Sequence, residues 1–246
     1  MLRVIFICII FLLPLGRYAA AQPLETLYFE RPPYYETVNG QADGFLVRLT
    51  RDILTQAGVP HSFHEMPPGR ILEAIKSNRS PACSIGWFRT PERDQYAVFS
   101  LPIYQDEPLR ALFLKSGALP PPDVSSFAQL IEQTDLLIGL NQAYAFGHPV
   151  DTLIARMRTP PVSTSGTQVQ LMLMLAARRF DFMLVNPEEI NTLAELAGIP
   201  LDELHVLPLS DLPRGNLRYL MFSRATSPEM IERINTAIGQ MVKLDD

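Results

Sequence analysis

Apolar positions along this chain switch repeatedly between a spacing of three to four and short unbroken runs. Thr26 to Phe29 is one such run, followed by turn-forming residues through Gly40. Phe45, Leu46, Leu49, Ile53 and Ala57 recur on one helix face, and Gly58 stands where that helix should end. Val59 to Phe63 predicts a second strand and Arg70 to Ile75 a short helix with Ile71, Leu72 and Ile75 inward. Ala82 to Gly86 and Leu109 to Leu114 are the next strands, and Pro120-Pro121-Pro122 breaks the chain after them.

A second unit of the same kind follows. Ser126-Phe127-Ala128-Gln129 and Thr167-Gln168-Val169-Gln170 have the form of capping boxes, in which residue and third neighbour bond each other's backbone N–H. Between them Leu136 to Leu140 is a continuous apolar run, as expected of a strand covered on both faces. The second box opens a helix whose Leu171, Met174 and Leu175 share a face, with methionine as core filler. Phe182 to Val185 is another strand, and Asn186-Pro187-Glu188-Glu189 carries N-cap, Pro-at-N1 and acidic first-turn signals. Leu217 to Phe222 predicts a last strand. Ser227-Pro228-Glu229 opens a final helix with Ile231, Ile234, Ile238 and Met241 along one stripe. Strands alternating with helices predict α/β layers on mostly parallel sheets. Ser116 to Pro122 and Ser210 to Asn216 are too short to separate independent domains, so two lobes joined by paired crossings fit better.

The first residues do not belong to this pattern. Arg3, the apolar run Val4 to Leu15 and the small residues Ala19-Ala20-Ala21 are the three parts of a secretory signal peptide. The apolar run is shorter than the roughly 20 residues that span a bilayer, which argues against an anchor. Residues 1–21 are therefore expected to be cleaved on export. Cys8 would leave with them, so Cys83 has no intramolecular partner in an oxidising compartment. Its apolar strand context predicts a buried, structural thiol.

Of 246 residues 47% are hydrophobic and 19% charged, enough apolar material for a folded core. The net charge of −5 gives no basic stripe for nucleic acid, and an anionic membrane surface is disfavoured for the same reason. There is no Gly-x-Ser-x-Gly elbow, phosphate-cradling loop or His-Glu-x-x-His, and His61, His64, His148 and His205 lack metal-ligand spacing. No metal or cofactor is expected. Glu188-Glu189 and Asp245-Asp246 are explained by helix-dipole matching and solvation. What stands out is Thr90-Pro91-Glu92-Arg93 after a strand end, which puts Arg93 in a helix's first turn, where a ligand carboxylate could be met.

Pro33-Tyr34-Tyr35-Glu36, Asn39-Gly40 and Gly44-Phe45 resemble the "P-F-E…N-G…G-F-D-x-D-L" opening of solute-binding proteins of ABC importers, the amino-acid-binding type (extracellular solute-binding proteins, family 3). Arg89 to Arg93 with Phe99 to Tyr104 is similar to its "T-x-E-R…F-S-x-P-Y-Y". Val124 to Leu130 resembles its "D-I-x-S-L-x-D-L", and Arg178 to Asn186 its "G-R-x-D-A-x-x-x-D". The resemblance implies a two-lobe, type II periplasmic-binding-protein fold: an α/β chain with a mostly parallel sheet and flanking helices in each lobe and the ligand cleft between them. It divides the chain into signal peptide 1–21, first lobe 22–112, second lobe 113–217 and a return to the first lobe at 218–246, with hinges near Leu112 and Leu217.

The same resemblance implies the site. Arg93 matches the arginine that grips the ligand carboxylate, and Asn186 matches an aspartate that holds the ammonium, here without its charge. Phe88 takes the place of a ligand-binding serine or threonine beside Trp87. Arg31 replaces a capping aromatic, with Tyr34 close by. Gln142 and Tyr144 fall in the second lobe's "G-T-T" segment, and Arg70 replaces an apolar residue and adds a further anion contact. The expected function is periplasmic binding of a small polar, carboxylate-bearing solute by hinge closure, as a monomer, for delivery to a membrane permease or a sensor. The alternative is a small-molecule enzyme on the same fold, a dehydratase or a hydrolase using Cys83 or Glu30.

Overall fold

The computed structural model describes residues 23–132, 134–142, 144 and 146–244. The expected signal peptide, residues 1–21, and the Asp245-Asp246 pair lie outside the described residues.

Strand β1 (Leu24–Tyr28) leads into a hairpin of β2 (Glu36–Val38) and β3 (Gln41–Asp43). Asn39 and Gly40 between them both have positive φ, 52° and 74°, the geometry for which Asn-Gly is favoured in a two-residue hairpin loop. Helix α1 (Phe45–Gln56) starts immediately after Gly44, whose φ is 103°. A Cβ there would sit 2.5 Å from the Tyr34 carbonyl oxygen and 2.7 Å from the Tyr35 Cα, so only glycine lets the helix pass this close to the preceding loop. Then come β4 (His61–Glu65), α2 (Pro68–Ser77), β5 (Ala82–Trp87), the single turn α3 (Pro91–Asp94) and β6 (Ala97–Gln105).

The chain crosses over at 106–109 into β7 (Arg110–Leu114), α4 (Phe127–Glu132), β8 (Ile138–Asn141), α5 (His148–Ile154) and β9 (Val162–Thr164). Helix α6 (Gln168–Ala176), β10 (Phe182–Val185), α7 (Pro187–Ala197) and β11 (Leu204–Pro208) complete this half. Residues 209–216 return the chain to β12 (Leu217–Ser223) and the last helix α8 (Pro228–Met241).

Two five-stranded sheets result, in the orders β4-β1-β5-β12-β6 and β11-β7-β10-β8-β9. Helices flank both, but each sheet is mixed rather than mostly parallel. β12 is antiparallel to β5 and β6, and β7 to β10 and β11. The crossings dictate this. β6 takes the chain out of the first sheet and β12 brings it back alongside, so the pair must run in opposite directions, and β7 and β11 do the same in the second. β10 pairs along its whole length with β7, from Arg110↔Val185 to Phe113↔Phe182. A lobe boundary after residue 112 would cut that ladder, so sheet membership moves the crossing to 106–109.

β10 shows why its sequence is apolar at every position. Phe182 and Leu184 pack with Phe113 and Phe127 on one face, while Met183 and Val185 pack with Leu112, Leu171 and Leu193 on the other. Both expected capping boxes form, at Ser126–Gln129 and Thr167–Gln170. On α8, Ile231, Ile234 and Ile238 are buried, but Met241 is exposed and falls off the stripe.

Candidate functional site

The carboxyl end of β5 sets the site's position. Gly86 has φ 75° and drops out of register with β12, where Tyr219 pairs with Trp87 and Leu220 with Ile85. At this bulge the Gly86 carbonyl accepts from Arg218 Nη1, and β5 ends at Trp87 with Phe88 just beyond it. A Cβ at Gly86 would approach Tyr35 to 2.9 Å, so the loop after β1 packs directly on the bulge. Thr90 then caps α3, its hydroxyl accepting from the Arg93 N–H at 3.3 Å.

These elements enclose a cavity of about 40 Å³ lined by Phe29, Arg31, Tyr35, Pro68, Gly86, Trp87, Phe88, Arg93, Tyr144 and Arg218. Half of its lining residues are aromatic, and its charged lining is three guanidinium groups. Larger openings along the seam continue from it, one of about 450 Å³ beside Glu30, Met66, Tyr144 and Thr167, another of about 620 Å³ beside Phe88, His148 and Asn216.

Each arginine is held differently. Arg31 donates from Nε and Nη2 to the two carboxylate oxygens of Glu189, at 2.8 and 2.9 Å, and its guanidinium lies 4.5 Å from the Tyr144 ring centroid. Burial works against its charge, but Glu189 outweighs burial and holds the proton more firmly than usual. Arg218 is 1% exposed, paired with the buried Asp106, and donates from Nη1 to the Gly86 carbonyl at 3.1 Å. Its guanidinium lies between the rings of Tyr34, 4.2 Å away, and Phe88, 4.9 Å away. Burial pushes the Asp106 carboxyl up, and Arg218 pulls against that. Arg93 lies 4.7 Å from the Trp87 ring and donates from Nη1 to the Phe88 carbonyl at 2.7 Å, with the Tyr96 hydroxyl beside it. No carboxylate pairs with it among the described residues. Burial weakens its hold on the proton, partly offset by Tyr96.

The second half closes over this from the N-terminal end of α7. Asn186 is buried, but its amide does not cap the helix. It donates to Glu189 Oε2 at 3.3 Å. Glu189 is wholly buried, so solvation does not explain it: the carboxylate's role is the ion pair with Arg31. Glu188 accepts at Oε1 from the Tyr104 hydroxyl at 2.8 Å and from the Glu107 N–H at 2.9 Å. Asn216 donates to the Phe146 carbonyl at 2.9 Å. Apart from the Asn186–Glu189 bond, these contacts cross the seam or tie it to the crossing segments.

The structure thus brings Arg31, Trp87, Phe88, Arg93 and Tyr144 together around one cavity, with Asn186 in an adjoining pocket that shares Arg31, Phe88 and Tyr144. Tyr34 is fully buried beneath Arg31 and Arg218 rather than lining the space. Arg70 is corrected: it is exposed on α2, because the inward positions of that helix are Ile71 and Ile75. Gln142 is corrected as well, since it is exposed and meets the fold through its backbone N–H, which donates to Thr164. Cys83 is 0% exposed, donates weakly to the Thr26 hydroxyl, and burial pushes its thiol up to about 12. Sequence reasoning missed Arg218, Asp106 and Glu189. A charge one residue inside the apolar strand Leu217–Phe222 was the available signal for the first. Among the described residues, no cluster of three or more His, Cys, Asp or Glu is placed to hold a metal ion, and no helix is long and apolar enough to cross a membrane.

Comparison with known proteins agrees with this architecture. The arginine-, lysine-, histidine-binding protein ArtJ from the thermophilic bacterium Geobacillus stearothermophilus superposes with a TM-score of 0.70 at 16% identity, over 89% of this chain and 89% of that one. An ancestral arginine-binding protein bound to arginine gives 0.68 at 19%, covering 89% and 92%. An ancestral amino acid-binding protein, a precursor of cyclohexadienyl dehydratase, gives 0.68 at 20%, covering 89% of each. At these identities the likeness is one of fold. No curated protein sequence matches the chain. The model of bacterial extracellular solute-binding proteins, family 3, matches residues 28–245, and the chain belongs to that family.

Proposed function

We propose that the solute this protein binds is a small acid, clamped between the lobes with Arg93 as its principal anchor. The observation that carries the reading is the aromatic cavity at the seam, in which Arg93 presents a guanidinium with no ion-pair partner among the described residues. A charge-assisted, two-point contact from such a group is strong and geometrically selective. Family membership supports solute binding for transport, and delivery to an ABC permease or a sensor is part of the proposal. The periplasm as its place of work, removal of residues 1–21 on the way there, and action as a monomer belong to the same proposal.

The similar structures bind arginine, or arginine, lysine and histidine. A cationic ligand does not suit this cavity, since three guanidiniums line it and Glu189 is taken by Arg31. An enzyme is disfavoured by Cys83, whose buried thiol is held far from the thiolate form that a nucleophile needs.

Native mass spectrometry of protein purified without refolding, followed by isothermal titration with the solute found, tests the proposal. Arg93→Ala should weaken binding by roughly 30-fold or more, the equivalent of about 2 kcal/mol. Unchanged affinity with an intact circular dichroism spectrum would take Arg93 out of the site.

A further inference from the structure

We propose that Arg218 is a second anion-binding residue of this cavity, and that with Arg93 it selects a monoacid carrying no amino group. The inference rests on the solute-binding reading above and names the class of solute.

Charge balance gives the first reason. Of the three guanidiniums around the cavity, Arg31 is neutralised by Glu189 and Arg218 by Asp106, while Arg93 is not neutralised. The lining therefore carries one uncompensated positive charge, which a single carboxylate cancels. No carboxylate lines the cavity among the described residues, so an ammonium group placed in it would face guanidiniums alone. Glu189 and Asp106, the acids that touch the lining arginines, are already engaged in buried pairs, and Asn186 donates to Glu189. An ammonium placed against either of these acids would have to break its pair.

Hydrogen bonding gives the second. Arg218 Nη2 is buried and has no partner among the described residues, although the same side chain bonds through Nε and Nη1. The Tyr34 hydroxyl, on the ring beneath it, is also buried without a partner. Unsatisfied buried donors are costly, and a charged one most of all. Arg218 is part of the lining, and an acceptor oxygen reaching its Nη2 would meet this need while Nε keeps the Asp106 pair. The remaining lining, Phe29, Tyr35, Trp87, Phe88 and Tyr144, receives an apolar or flat body.

Matched pairs that differ only in the amino group test this: phenylpropanoate against L-phenylalanine, and pentanoate against L-norvaline, by isothermal titration of the purified protein. The deaminated acid of a pair should bind about tenfold or more tightly than its amino acid. Arg218→Lys keeps a cation opposite Asp106 and should still lose about tenfold, since ammonium cannot reproduce the planar fork. The double variant Asp106→Asn with Arg218→Gln should lose at least as much while removing both buried charges together. Amino acids binding as tightly as their partners, or Arg218→Lys binding like the natural protein while folded, would overturn the assignment. If amino acids win but Arg93→Ala still abolishes their binding, the solute-binding reading stands and only this inference falls. Binding of neither member of either pair at millimolar concentration overturns this inference as well, and leaves that reading to the co-purified solute.

Discussion

Arg31 and Glu189, 158 positions apart in sequence, meet as a two-point ion pair from opposite lobes, with the carboxylate wholly buried and the guanidinium nearly so. Removing one partner leaves the other charge in a dry seam. Glu189→Gln should therefore destabilise the closed form by about 3–5 kcal/mol, the usual cost of breaking a buried pair. Because the pair bridges two lobes, that loss should appear as opening: small-angle scattering should give a larger radius of gyration, with secondary structure unchanged. Arg31→Gln added to Glu189→Gln should cost less than the two single changes together.

Among the site residues, substitution at Asn186 should matter less than at Arg93. Its amide is neutral and donates to Glu189, so Asn186→Ala should shift solute affinity only by a few-fold, and Arg93→Lys should fall between the natural protein and Arg93→Ala. Titration of the three variants with the co-purified solute gives the order directly.

Cys83 is expected to be inert. A thiol with its pKa pushed up to about 12 is almost entirely protonated at pH 8, and this one is 0% exposed. Native protein should resist iodoacetamide at that pH, and protein in guanidinium chloride should be labelled fully. Cys83→Ser should lower stability by about 1–2 kcal/mol, through a hydroxyl buried in an apolar strand, without a change in solute affinity.

Gly44 joins the first loop to α1 with a φ that side chains avoid, and a Cβ there would collide with backbone rather than with a movable side chain. Gly44→Ala should cost about 1–3 kcal/mol in a denaturant melt. Gly58, at φ 62° against 103° and with open space around it, should lose less on the same change.

Much of the fold is legible where burial is one-dimensional. β10 and β5 are apolar at nearly every position because helices cover both faces, and α1 and α8 show a helical stripe. β6 was not legible from its own residues. Ala97–Gln105 is buried only at every third position, Ala97, Ser100 and Ile103, carries Pro102, and lies at a sheet edge. Half the site was legible for the same reason: Arg93 sits beside a strand end and a cap. Glu189 was not, because an acid in a helix's first turn has a sufficient local explanation in the dipole. Its partner comes from the far side of the fold, and no local pattern announces it.

β12 lies between β5 and β6, yet it is made after the whole second sheet. As the chain emerges from a ribosome or a translocation pore, β6 has no neighbour to pair with until residue 217 has followed it. The first lobe is therefore the last to finish, although it starts the chain. Nascent chains halted before β12 should present two open strand edges, those of β5 and β6, to anything that holds unfolded chains.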